Sequence, residues 1–170
     1  MTMLTATLLT CLVLAPETRM TPFATWSGAN SKIHKAETML LKSQSDWDNA
    51  WRRNKGWTDA TKKAPALDFK RWWVVGVIRG DEHLCRGYVT SPAPYGIFDS
   101  ADKMILKIKP NWRYTTEREE ETNPYLFIAI KRNPGKPIVI MHDDARENGE
   151  APIWRKLTTL NQKTPSIPSR

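Results

Sequence analysis

Cysteine is nearly missing from this chain: 170 residues hold two, Cys11 and Cys85. If the first fifteen residues are removed, Cys85 stands alone and no intrachain disulfide can form. The fold must then be held by burial and backbone pairing. Histidine is scarce as well, with only His34, His83 and His142. A zinc site asks for several ligands at close spacing, and His142-Asp143-Asp144 is the nearest approach to one. It follows the last strong apolar run and reads as a solvated turn, so no metal and no cofactor is expected. There is no Gly-x-Ser-x-Gly elbow, phosphate loop or dinucleotide fingerprint. No apolar run is long enough to span a bilayer.

These gaps leave catalysis without support, and a non-catalytic chain is expected. The remaining nucleophile candidate is Cys85, which would share a strand face with His83 in a thiol–imidazole pair. Only Asp81 stands near enough to orient such a pair, and a buried lone cysteine is usually inert. A small secreted hydrolase using Cys85 or an acid pair is the third reading of the chain.

What is abundant is tryptophan and positive charge. Eight Trp residues spread from Trp26 to Trp154, a distribution that suits anchors of one core better than a single ligand cage. The net charge is +8. Basic residues thicken at Arg52, Arg53, Lys62, Lys63, Lys70 and Arg71, while acidic ones gather at Glu117 to Glu121 and from Asp143 to Glu150. A basic lobe of this kind suits an anionic partner or a solvated face. The second reading is therefore a polyanion-binding module built on those six residues. Nucleic acid is not the expected partner, because no recognition motif accompanies the charge.

Residues 1–15 carry no charge, and Leu4 to Leu14 is a short apolar run ending Val13-Leu14-Ala15 before Pro16. That pattern predicts a signal peptide and export to the periplasm or outside the cell, although the run lacks the preceding Lys or Arg. Thr10 before Cys11 is not the small residue of a lipoprotein site, so lipidation is not expected. Residues 16–31 are polar with Pro22 and Gly28 and read as an extended arm.

The segment Ser43 to Arg53 predicts one amphipathic helix. Ser43 or Ser45 can cap it, Asp46 and Asp48 lie at its positive end, Trp47, Ala50 and Trp51 share a face, and Gly56 stops it. Trp72 to Ile78 is an almost continuous apolar run, as for a strand covered on both faces. With Asp81-Glu82-His83 after Gly80 as the turn and the stretch reaching Gly87-Tyr88 as the return, it reads as a hairpin. Ser91-Pro92-Ala93-Pro94 is expected to break the ladder. Lys103 to Lys109 alternates lysine with apolar residues, ended by Pro110. Tyr125 to Lys131 and Ile138 to Met141 complete the strands, and residues 142–170 read as an acidic, loose extension. The fold class predicted is mainly β: an antiparallel curled sheet, barrel-like or sandwich, with one amphipathic helix packed against it.

A further signal is the order of short motifs. Trp47 and Trp51 on the helix precede Asp68-Phe69, then Val74-Val75-Gly76-Val77-Ile78-Arg79-Gly80, Gly87-Tyr88, Asn123-Pro124-Tyr125 and Lys136-Pro137-Ile138-Val139-Ile140. This order, between Ile33 and Met141, resembles the C-terminal domain of PrcB-type protease-complex subunits, and residues 32–141 would form that domain. Arg86 stands where that family's turn usually carries glycine. The resemblance implies an exported, β-rich, non-catalytic domain that binds or stabilises another extracytoplasmic protein, a protease among the possibilities. Arg86, Gly87 and Tyr88 are the partner-contacting turn it implies.

Overall fold

The computed structural model of this chain describes residues 17–83, 88–114, 121–144 and 150–161. In order these form β1 (Thr18–Met20), β2 (Ala24–Gly28), β3 (Glu37–Leu41), α1 (Gln44–Lys55), β4 (Trp72–Ile78), β5 (Glu82–His83), β6 (Tyr88–Asp99), β7 (Met104–Tyr114), β8 (Glu121–Thr122), β9 (Tyr125–Lys131), β10 (Ile138–Asp143) and β11 (Trp154–Leu160). A four-stranded sheet, β2-β9-β4-β3, lies between the helix and a five-stranded sheet, β1-β6-β7-β10-β11. The two sheets do not close into a barrel; they pack as a sandwich.

The near-continuous apolar run of β4 is explained by this middle position. Successive side chains of a strand point to opposite faces. Trp73, Val75 and Val77 therefore enter the core between the sheets, while Val74 and Ile78 enter the core under the helix. β9 does the same with Leu126, Ile128 and Ile130 on one side and Phe127 and Ala129 on the other. Each fully buried Val, Leu or Ile contributes about 1.5–3 kcal/mol, so these two strands dominate the stability of the body. β7 faces solvent on one side and alternates as its sequence predicts. Met104, Leu106 and Ile108 are buried, and Lys107 and Lys109 point outward.

The helix follows its sequence signals closely. The Ser43 hydroxyl accepts from the Asp46 N–H at 3.1 Å. Gly56 ends the helix at φ 66°, a left-handed conformation in which its N–H returns to the Arg52 and Arg53 carbonyls. Trp47 is completely buried, with its indole N–H donating to the Pro65 carbonyl at 3.0 Å. Trp26, Trp51 and Phe127 pack around it with ring centroids 4.9 to 5.2 Å away.

Five expectations are corrected. Residues 72–88 are not a hairpin: β4 pairs with β3 and β9, and β5 pairs with β8. Gly80, at φ +78°, turns the chain against the backbone of His34 and Ala36, and the Asp81 N–H bonds the His34 carbonyl. The chain thus leaves the four-stranded sheet. The arm over residues 16–31 contains β1 and β2, one in each sheet, because Ala24 and Trp26 alternate with Thr25 and Ser27 and add their apolar side to the helix-face core.

Pro92, Pro94 and Pro110 do not end strands. Among the described residues, β1 covers only residues 97–99 of β6 and β10 only residues 104–108 of β7, so the rest of the pair stands there as a two-stranded ribbon. Pro92 lies opposite Pro110 there, a pairing that needs no N–H from either when both nitrogens face away. The register shift between Pro94 and Gly96 takes up the remaining mismatch. The extension over residues 142–170 is not loose throughout, since β10 runs to Asp143 and β11 pairs along its length. Finally, the sheets are not wholly antiparallel: β10 runs parallel to β7, because β9 carries the chain through the four-stranded sheet before it returns.

Candidate functional site

Two strands end their sheets side by side. β3 is the edge of the four-stranded sheet and β11 the edge of the five-stranded one, and the two are in contact. Between them opens a cleft of about 530 Å³. Glu37 and Thr38 of β3, Arg79 beyond β4, His142 and Asp144 at the end of β10, and Arg155, Leu157 and Thr158 of β11 line it. β11 lies there through a short, partly buried capping device. The Asp143 carboxylate accepts the Ile153 N–H at 2.8 Å, and the Asp144 N–H donates to the Ile153 carbonyl at 2.9 Å. The residues that read as a weak metal motif are therefore the fastening of the edge strand. Among the described residues no group of three or more His, Cys, Asp or Glu side chains gathers as a metal site.

The acids of the cleft are already engaged. Asp144 pairs with Arg155 at 2.9 Å and lies 3.8 Å from His142, while Glu37 pairs with Arg53 at 2.9 Å. Arg79 and Lys156 add positive charge to the wall. Leu157 is 44% exposed and Ile153 51%, an apolar margin on the edge strand. An edge strand has one row of backbone donors and acceptors outside its own ladder. The arrangement can hold an extended chain by main-chain pairing and offer it cations and an apolar contact.

The six basic candidates do not form one surface. Arg53 is tied to Glu37, Lys63 lies 3.8 Å from Asp48, Arg52 donates to Asn49 and to the Ala60 carbonyl, and Lys62 sits over the Trp57 ring at 5.1 Å. Lys70 and Arg71 lie elsewhere, at the start of β4. Glu37, the partner of Arg53, pairs in register with Ile78 at the other end of that strand, and the two ends of β4 are roughly 20 Å apart at about 3.3 Å per residue. Arg86 and Gly87 lie outside the described residues, as do Cys85, Cys11 and the predicted signal peptide. Tyr88 opens β6, opposite Tyr114.

At the start of β4 the candidate Arg71 is joined by Arg132 and Lys42, which the sequence does not connect to it. Arg71 lies over Trp72 at 5.9 Å, and Arg132 and Lys42 lie over Trp73 at 5.7 and 5.6 Å. Phe23 stacks on Trp72 at 4.6 Å and 21°. Residues distant in sequence meet here because four strands end together. Nor do the tryptophans form one core: Trp47 and Trp73 are buried in different layers. Trp154 lies on the outer face beside Tyr95, under Lys107.

No protein-family model, curated protein or solved structure matches the chain.

Proposed function

We propose that this chain is an exported, non-catalytic binding domain that takes an extended segment of another protein into the cleft between β3 and β11. The single observation that carries the reading is the meeting of two sheet edges across a cleft with a cationic and apolar lining. Strand addition at such an edge gives affinity through main-chain hydrogen bonds, while alternate side chains confer selectivity. With Glu37 held by Arg53 and Asp144 by Arg155, acidic residues in the bound segment complement the exposed Lys156. The uncharged apolar residues 1–15 support export. The resemblance to PrcB-type subunits supports an extracytoplasmic protein, a protease included, as the source of the segment.

Selection from a displayed library of extended peptides tests this. The expected result is enrichment of acidic sequences with alternating apolar residues. Their binding weakens about tenfold or more in Leu157→Asp, which puts like charge where an apolar contact was. Sequences that bind Leu157→Asp equally well would contradict the assignment of the cleft.

A further inference from the structure

We infer that the opposite end of the molecule, where the four-stranded sheet finishes in Phe23, Trp72 and a line of cations, docks on an anionic bilayer surface. Each strand of that sheet contributes at this end. Phe23 leads into β2, Lys131 and Arg132 leave β9, Lys70 and Arg71 enter β4, and Lys42 leaves β3. Neighbouring strands lie about 4.8 Å apart, so the line crosses roughly 14 Å of the sheet end. Lys70, Arg71, Lys131 and Arg132 are exposed, and Phe23 is 58% exposed. Asp68, the nearest acid in sequence, is turned to the chain itself, accepting the Lys70 N–H at 3.0 Å.

The rings decide between two anionic partners. A nucleic-acid strand is held by successive open rings on which bases stack. Here Trp73 is 6% exposed beneath Arg132 and Lys42, and one face of Trp72 is taken by Phe23. What remains outward is one apolar tip among cations. That is the interfacial pattern, in which the ring enters the headgroup boundary and lysines and arginines meet anionic lipids. β4 runs from Trp72 at this end to Ile78 in the cleft wall, about 20 Å away. A molecule seated this way keeps the cleft turned from the bilayer. The inference stands whether or not the cleft binds a protein segment.

Co-sedimentation of the full chain with lipid vesicles at physiological salt provides the test. Vesicles rich in phosphatidylglycerol are expected to bind at least about tenfold better than phosphatidylcholine alone, as an electrostatic contact requires. The double reversal Arg71→Glu with Arg132→Glu should remove most of that preference. Phe23→Ser should weaken binding about threefold or more while leaving its salt dependence, because it removes the inserted ring and no charge. Lys109→Glu, on the outer face of the five-stranded sheet, makes half that change in net charge and should leave most of the binding. Equal binding to both vesicles, no binding, or equal losses in Lys109→Glu and the double reversal would overturn the inference. So would displacement from the vesicles by oligodeoxythymidylate with Phe23→Ser behaving as the parent, which would mark a general polyanion face. Circular dichroism melts of each variant separate lost binding from lost folding.

Discussion

At the scale of single residues, stability rests on places where one atom more would have nowhere to go. A Cβ on Gly76 would stand 2.7 Å from the Phe127 ring and 2.8 Å from the Met39 side chain. Gly76→Ala should therefore destabilise the chain by about 1–3 kcal/mol through overpacking, read as a lower urea midpoint at unchanged slope. Trp47→Ala should cost about 3–5 kcal/mol, since it empties the middle of the helix–sheet layer and orphans the Pro65 carbonyl. Asp102 offers a check on local electrostatics. The Ser100 hydroxyl, 3.1 Å away, holds this exposed carboxyl below its usual value of 3.8. A group depressed in the folded state favours folding above its unfolded pKa and loses that contribution as pH falls through the folded value. Ser100→Ala should bring the Asp102 titration, followed by NMR, back up toward 3.8. Among residue-level readings, the alternation from Lys103 to Lys109 was legible because one face of β7 meets solvent. The fate of the basic residues was not, because a sequence does not show that Arg53 meets Glu37 or that Arg132 meets Trp73.

Elements were readable where their own residues carry the signal. Helix α1 declares itself through Ser43, the Trp47–Ala50–Trp51 face and Gly56, and Ser43→Ala should cost about 1 kcal/mol by leaving the Asp46 N–H without its acceptor. Thermal melts at fixed pH measure this. β4, β9 and the start of β10 are legible for the same reason, as unbroken apolar runs between turn residues. Failures came where the neighbour decides. Pro92 and Pro110 are tolerated because the ribbon of β6 and β7 has no outer partner among the described residues along that stretch, which no local pattern reveals. The pattern of β11 is weak because it packs a single buried residue, Leu160, and the strand owes its place to pairing with β10. The turn at Gly80 looked like a hairpin turn because the preceding and following runs are both strand-like. Only the contact with residues 34–36 makes it an exit from the sheet.

On the scale of the whole molecule, the fold class was legible and the two proposed binding surfaces were not. Mainly β structure with one packed helix follows from the pattern of short runs and turns. The cleft depends on β3 and β11 ending different sheets next to each other, and the cationic end depends on four strands finishing together. Both are products of topology, including the parallel return of β10 beside β7. The two surfaces lie at opposite ends of β4, so a change at one should leave the other intact. Leu157→Asp should keep its vesicle binding, and Phe23→Ser its peptide binding, each measured on the same preparations.

Amide hydrogen exchange of the chain with and without a library-selected acidic peptide tests the central claim most directly. The account predicts slowed exchange concentrated in Glu37–Leu41 and Trp154–Leu160, where an added strand would engage the free edges. Protection centred instead on the turn before Tyr88, or none in either edge strand at saturating peptide, would contradict it.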